Sequence, residues 1–140
     1  LVRWPGEVER ATVNKHIVSN VDFAETFLEA VGAAVPAEMQ GRSMLPLLRG
    51  KAPDDWRESF YYHYYEGPQK DHAVHRHEGV TTGRHKLIHF YELGEWELFD
   101  LENDPHELSN VYGQPEYATI QANLEAELSR LREELEVPPN

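Results

Sequence analysis

The sequence predicts an α+β fold in which a four-stranded antiparallel sheet is packed against a C-terminal helix. From residue 59 to 101 the sequence reads as strands with a period of two, in short runs separated by turn residues, and the first run has aromatic residues on both faces. After residue 115 the period becomes that of a helix with one apolar stripe. A polar stretch containing proline at 51–59 marks a boundary near residue 58. We therefore predict two parts, 1–58 and 59–136.

The first part, 1–58, is predicted to contain one strand, one helix and a short apolar loop or helical turn. Residues 1–4 (LVRW) are predicted to form a buried strand, which the following Pro-Gly pair stops. Residues 19–22 (SNVD) form a variant of the capping box, so a helix is predicted to begin there. Its apolar residues recur at helical spacing until Gly32, which provides the left-handed ending. Residues 40–50 predict a short apolar loop or a single helical turn.

The second part reads as a meander of four strands followed by a helix. Gly83 and Gly94 provide two of the turns. The predicted strands are SFYYHYY (59–65), HRHEGVTT (75–82), KLIHFY (86–91) and EWELFDL (95–101). The helical stripe that would pack on the sheet consists of Tyr117, Ile120, Leu124, Leu128, Leu131 and Leu135.

The composition excludes several classes of protein. The chain carries 25 acidic residues against 13 lysines and arginines, a net charge of −12. Nucleic acids and anionic membranes attract a positive surface, so we predict neither as a partner. The chain has no cysteine, which excludes a disulfide scaffold, a thiolate zinc site and a cysteine nucleophile within it.

The stretch HYYEGPQKDHAVHRHEG (63–79) concentrates histidines, and three interpretations compete for it. They could be partly exposed polar residues without a task, ligands of a metal, or hydrogen-bonding residues that line a pocket. In an extended strand His75 and His77 share a face, but Glu78 lies on the opposite face and Asp71 precedes the strand. A third metal ligand is therefore missing, and we predict no metal site. The histidines concerned are His63, His72, His75 and His77.

The order of motifs along the chain resembles the C-terminal part of the formylglycine-dependent sulfatases. The resemblance is carried by LVRWPG, SNVDFAETFLEAVG, MQGRSMLPLLRG, WRESFYYHYYE, HKLIHFY and ELFDLENDPHELSN, in that order. The combination of YYHYYEGP, HAVHRHEGV, KLIHFY and NVYGQPEYA is most similar to the branch that acts on N-acetylglucosamine-6-sulfate in glycans. The family fold resembles alkaline phosphatase, with a large α/β domain followed by a small antiparallel subdomain.

This resemblance implies an architecture and an activity. Residues 1–58 would be the last strand and helix of the large α/β domain, and 59–136 the small subdomain. The parent protein would hydrolyse sulfate esters, with 6-O-sulfate on N-acetylglucosamine as the expected group. The family nucleophile is a formylglycine made within a Cys-or-Ser-x-Pro-x-Arg signature, and the family metal is calcium. Both would lie upstream of Leu1, so we expect this fragment to hold no catalytic residue, metal or cofactor and to be inactive alone.

The resemblance also implies a sugar-binding role for two histidines. His72 and His77 match paired histidines of the branch, and they are our predicted substrate-binding residues. The chain departs from the family pattern at three positions: Glu25 stands in place of a helix-starting proline, and Glu78 and Thr81 replace an aromatic residue and an arginine. Family members are usually exported, so the same is expected of the parent.

Two other functions stay open from the sequence. The tyrosine-rich strand at 59–65 could belong to a stand-alone carbohydrate-binding module, because aromatic rings stack on sugar faces, although sheet packing is the commoner use of tyrosine. Alternatively, the chain could have a purely structural role. The resemblance also implies that residues 1–58 pack against a large sheet outside this chain, so their apolar residues could rearrange or cause self-association with a second copy.

Overall fold

The chain forms two compact units, Leu1–Glu58 and Ser59–Asn140. The structure is a computed structural model, and it describes residues 1–69 and 72–139. The first unit contains two helices, and in its described residues the second contains a sheet and a further α-helix. No helix in these two ranges is long and apolar enough to cross a lipid bilayer.

Helix α1 spans Asp22–Ala30 and ends as the sequence predicts. Gly32 has a φ of +71°, and its N–H and that of the next residue donate to carbonyls of the last turn. One of the two side-chain hydrogen bonds of the predicted capping box is present. The backbone N–H of Ser19 donates to the Asp22 carboxylate at 2.7 Å, whereas the Ser19 hydroxyl turns to the next residue along the chain. The helical turn predicted within 40–50 is helix α2, Leu45–Leu48.

Helix α1 buries polar residues and exposes large apolar ones. Asp22, Glu25 and Thr26 are buried, whereas Phe23 and Phe27 are 49% and 67% exposed. The predicted apolar face therefore exists, but it is uncovered. A surface helix normally has the opposite arrangement, with its apolar stripe against the core.

Hydrogen bonds explain why the polar face of α1 is buried. The guanidinium of Arg57 donates to both carboxylate oxygens of Asp22 at 2.6 and 2.8 Å, and the backbone N–H of Arg42 adds a third bond at 2.9 Å. Burial alone would raise the pKa of Asp22, but these hydrogen bonds and the Arg57 charge bring it below its usual value. Glu25 accepts from the backbone N–H of Gly41 at 2.7 Å, while its other oxygen has no hydrogen-bond partner among the described residues.

The strand predicted at residues 1–4 is wrong. The carbonyl oxygen of Trp4 accepts from the backbone N–H groups of Glu7 and Val8 at 3.2 and 3.0 Å, so the chain turns there. All strands in the described ranges belong to the second unit, so the first unit itself supplies no strand with which residues 1–4 could pair.

The second unit confirms the predicted antiparallel meander. The strands are β1 (Ser59–Tyr64), β2 (His77–Thr82), β3 (His85–Phe90) and β4 (Glu95–Asp100). Their order in the sheet is β1-β2-β3-β4, so each strand pairs with the next in the sequence. Strand β2 begins two residues later than predicted, and His75 therefore lies outside it.

One face of the sheet is covered by the C-terminal helix, as predicted. A 3-10 turn, Pro115–Tyr117, leads into helix α3, Ala118–Glu134. The residues Val80, Leu87 and Leu98 lie beside one another on three strands and are fully buried. They pack with three leucines of the predicted helical stripe, Leu124, Leu128 and Leu131.

The opposite face of the sheet is rich in aromatic residues. Pairing places Tyr64 opposite His77, and Tyr62 opposite Gly79. Because side chains alternate along a strand, His77 and Glu78 lie on opposite faces, as the sequence predicts. His77 is thus on the aromatic face and Glu78 on the helix-covered face.

Candidate functional site

His77, one of the two predicted substrate-binding residues, lies within a cluster of aromatic rings. Its ring stacks on that of Tyr64, with centroids 5.2 Å apart and planes 18° apart. The ring of Phe90 lies 5.1 Å away, and that of Tyr62 meets His77 edge-on at 5.9 Å. These contacts hold the imidazole in one orientation.

The hydrogen bond of His77 fixes which of its nitrogens is free. Nδ1 lies 2.9 Å from the carbonyl oxygen of His75. A carbonyl can only accept, so Nδ1 carries the proton and Nε2 of the neutral ring is an acceptor. The imidazole can therefore accept a hydrogen bond from a hydroxyl or an N–H group.

His72, the second predicted residue, is linked to His77 through two intermediate side chains. The hydroxyl of Tyr64 donates to Glu66 Oε2 at 2.9 Å. The same oxygen lies 3.9 Å from Nε2 of His72, whose side chain is 71% exposed. The structure therefore brings both predicted histidines into one cluster, in which Tyr64 and Glu66 are the members that sequence reasoning missed. Asp71, weighed as a metal ligand from the sequence, lies outside the described residues.

Gly79 allows Tyr62 to lie close against the sheet beside His77. A Cβ at Gly79 would come within 2.6 Å of the Tyr62 hydroxyl oxygen and would also overlap the backbone carbonyl of Leu87. The Tyr62 hydroxyl is buried and has no hydrogen-bond partner in the described part of the chain. Burial, with the nearby negative charges of Glu107 and Glu97, raises the pKa of Tyr62. Tyr62 therefore serves as a neutral packing surface.

A second polar cluster, centred on Glu78, lies on the helix-covered face. Glu78 is 1% exposed, and its carboxylate forms an ion pair with Arg132 of α3. The hydroxyl of Tyr61 donates to it at 3.0 Å, and His89 Nδ1 lies 3.6 Å away. Burial and then this hydrogen bond raise the pKa of Tyr61. These contacts tie the sheet to the helix.

Hydroxyl groups extend this cluster to His63. Since the one proton of the Tyr61 hydroxyl goes to Glu78, His63 Nδ1 donates to the Tyr61 oxygen at 3.0 Å. His63 Nε2 then accepts from the hydroxyl of Tyr91 at 3.1 Å. Burial lowers the pKa of His63 and favours this neutral ring. A cleft of about 450 Å³ opens beside the cluster, but most of its polar groups already bond to one another.

The calcium and the formylglycine that the resemblance implies have specific ligand and sequence requirements. Across 1–69 and 72–139, no three His, Asp or Glu side chains gather in a way that could hold a metal ion. The chain has no cysteine, and none of its serines begins the Ser-x-Pro-x-Arg signature in which a formylglycine is made. The sequence therefore contains no formylglycine signature, and the described residues offer no cluster of carboxylates or histidines for calcium. What the cluster around His77 provides is a set of oriented hydrogen-bonding groups.

Comparison with known proteins identifies similar chains among sulfatases. The chain is 46% identical over 127 residues to an N-acetylglucosamine-6-O-sulfatase of Bacteroides thetaiotaomicron, covering 89% of this chain and 23% of that protein. It is 31% identical over 135 residues to PehA, a multifunctional alkaline phosphatase superfamily protein of Trinickia caryophylli, covering 84% of this chain and 26% of that one. The chain thus spans about a quarter of the length of these relatives.

A solved structure extends the likeness to three dimensions. BT4656, in complex with its substrate D-glucosamine-2-N,6-O-disulfate, superposes with a TM-score of 0.78 and 44% identity, over 82% of this chain and 24% of that one. The α+β fold and the resemblance to sulfatases inferred from the sequence are both confirmed. The family model described as "N-sulphoglucosamine sulphohydrolase, C-terminal" matches residues 1–134, and the chain belongs to this family.

Proposed function

We propose that the protein containing this chain is a sulfatase that hydrolyses sulfate esters of glycans, with 6-O-sulfate on N-acetylglucosamine as its target. The observation that carries the proposal is the 46% identity to an N-acetylglucosamine-6-O-sulfatase, which extends over 89% of this chain and thus over both units. The bound sugar in the similar solved structure, also a 6-O-sulfated glucosamine, supports the same substrate class.

In this proposal the two units have different origins within the sulfatase. Residues 1–58 are the end of the large α/β domain, and 59–136 are the small antiparallel subdomain. The division of the chain at Glu58 and Ser59 supports this assignment. So does the uncovered apolar face of α1, because an exposed pair such as Phe23 and Phe27, stacked at 6.5 Å, is typical of a surface that packs against another part of a protein.

His77 and His72 bind the sugar, and neither takes part in bond cleavage. Nε2 of His77 accepts a hydrogen bond from a sugar hydroxyl or N–H, while stacking on Tyr64 keeps the ring in place. His72 is exposed and can add a second bond. Such groups hold a substrate in the orientation that the reaction requires. In sulfatases the hydrolysis itself depends on formylglycine and calcium, which in this proposal belong to another part of the protein, so the chain alone is inactive.

The self-association expected from the sequence belongs to the same proposal. When this chain is studied alone, Phe27 and Val31 remain 67% and 78% exposed. A second copy of the chain is then the apolar surface most readily available to them. We expect light scattering to show dimers of the isolated chain that a Phe27→Ser substitution reduces. The parent is also expected to be exported, as is usual for the family.

The experiment that tests the sugar-binding role measures the kinetics of full-length variants on N-acetylglucosamine-6-sulfate. Loss of one hydrogen bond is worth about 1 kcal/mol, so His77→Ala should lower kcat/KM by about fivefold or more while the protein stays folded. His106→Ala is the matched control, because His106 is exposed and lies in the loop after β4. Unchanged kinetics in both His72→Ala and His77→Ala would leave the chain with a structural role only.

A further inference from the structure

The cluster around His77 presents hydrogen-bond acceptors and hardly any donors. We use the name acceptor corner for Tyr64, Glu66 and His77. The proton on Nδ1 of His77 is used by the carbonyl of His75, so Nε2 accepts. The hydroxyl proton of Tyr64 is used by Glu66, so the phenol oxygen can also only accept. The carboxylate of Glu66 has no proton to give.

The negative charge of Glu66 is not neutralised by a lysine or arginine in the described ranges. Its one ion-pair contact there is His72, at 3.9 Å. Arg76, which precedes His77 in the sequence, donates to Glu92 at 2.7 Å and to the backbone carbonyl of Tyr65 at 2.9 Å. Nε and Nη1 of this guanidinium thus bond to groups other than Glu66. At 37% side-chain exposure, Glu66 can be reached by a ligand.

These acceptors determine which chemical groups fit the corner. Sugar hydroxyls, amide N–H groups and ammonium groups can donate to Nε2 and to the carboxylate. A sulfate group carries oxygens that only accept, and its negative charge would lie close to that of Glu66. Juxtaposed like charges weaken binding and so provide specificity.

We infer that Glu66 is a specificity-determining residue: the acceptor corner binds a donor-bearing part of the sugar and disfavours a second sulfate on it. This inference rests on the proposed function and adds the class of substrate. The preferred substrates carry hydroxyl or N–H groups, and no sulfate, on the side that meets Glu66. Glu66 touches the substrate and does not act on the sulfate ester.

The test compares full-length wild type and Glu66→Gln on three sugars. They are N-acetylglucosamine-6-sulfate, glucosamine-2-N,6-O-disulfate and N-acetylglucosamine-3,6-di-O-sulfate. Removing the charge should raise kcat/KM for at least one disulfate, relative to the monosulfate, by about tenfold. Glu116→Gln is the control, because it makes the same change in net charge at the exposed turn before α3 and should leave the ratio unaltered.

The outcomes separate this inference from the proposed function. If both disulfate ratios in Glu66→Gln equal those of wild type, while His77→Ala still impairs the monosulfate, the inference is overturned and the proposed function stands. An enzyme that hydrolyses none of the three sugars overturns both. Should Glu66→Gln fail to fold, Tyr64→Phe keeps the ring and removes the bond that orients Glu66. It is then expected to shift the same ratio by a smaller factor, and an unshifted ratio overturns the inference.

Discussion

Removing the cation of the buried pair between Arg132 and Glu78 should destabilise the second unit more than any exposed ion pair can. Glu78 is 1% exposed, and Arg132→Met leaves its charge in the interior with the Tyr61 hydroxyl and His89 beside it. Breaking a buried pair from one side costs about 3–5 kcal/mol. Because Tyr61 still donates to the carboxylate, we expect a cost of about 3 kcal/mol, near the lower end of that range.

Urea unfolding can measure this cost with matched controls. At an m-value of about 1 kcal/mol/M, a loss of about 3 kcal/mol lowers the midpoint by about 3 M, or unfolds the unit outright. Trp96 stacks on His89 at 3.9 Å, so the ¹⁹F NMR signal of a fluorinated Trp96 reports this unit apart from Trp4 and Trp56. Adding Glu78→Gln to Arg132→Met should restore most of the stability, since it removes the buried charge.

The control on the same helix is Arg130→Met. Arg130 is 55% exposed and pairs with Glu127 and Glu134 one turn along the helix on either side. Such surface pairs contribute about 0.2–1 kcal/mol. Equal midpoints for Arg130→Met and Arg132→Met would refute the reasoning, because they would mean that burial adds nothing to the pair with Glu78.

Three further predictions concern pH and packing. The pKa of Asp22 is lower in the folded than in the unfolded chain, so its carboxylate stabilises the fold fully above the unfolded pKa, and this contribution is lost as pH falls through the folded pKa. The Asp22→Asn variant should therefore lose less stability than wild type on acidification, as measured by amide exchange in the first unit. The pKa of His63 is lowered chiefly by burial, so acidification through the unfolded value near 6.5 protonates the unfolded chain first and reduces stability. Between pH 7.5 and 5.5, the urea midpoint of His63→Gln should therefore drop less than that of wild type. Gly79→Ala should lower the melting temperature through overlap with the Leu87 carbonyl, whereas Gly83→Ala, with open space around it, should leave that temperature nearly unchanged.

The sheet and the last helix could be predicted because their signals are local. Period-two alternation and glycine turns define hairpins between neighbouring strands, and the leucine spacing defines one face of α3. The prediction of a strand at residues 1–4 is wrong because strand formation depends on a partner that is not local in the sequence. An apolar run forms a strand only where another strand is available to pair with it, and the first unit contains none.

Buried carboxylates were the features that sequence reasoning missed. Asp and Glu are ordinarily exposed, and the arginines that permit their burial lie far away in the sequence: Arg57 is 35 residues from Asp22, and Arg132 is 54 from Glu78. One signal was present. Glu78 is two residues from Val80, so strand parity alone places its side chain on the core face.

For the candidate site, His72 and His77 could be predicted from the resemblance, whereas Tyr64 and Glu66, which connect them, could not. Spacing along the chain does not reveal that Tyr64 stacks on His77, because this contact depends on the register between β1 and β2. Glu66 lies two residues after Tyr64 and joins the same cluster through its bond to the Tyr64 hydroxyl.

The order of strands in the sheet has a consequence for how quickly this unit acquires its structure. Each strand bonds to the next in the sequence, so the sheet can form by closing short loops, which is fast. Docking of α3 joins residues much farther apart, such as Ser59 and Glu127, which are 68 positions apart. The slow step of folding should then be helix docking. Leu128→Ala would slow refolding, and substitutions in the β3–β4 turn, which is already formed when the helix docks, would also act mainly on the rate of refolding.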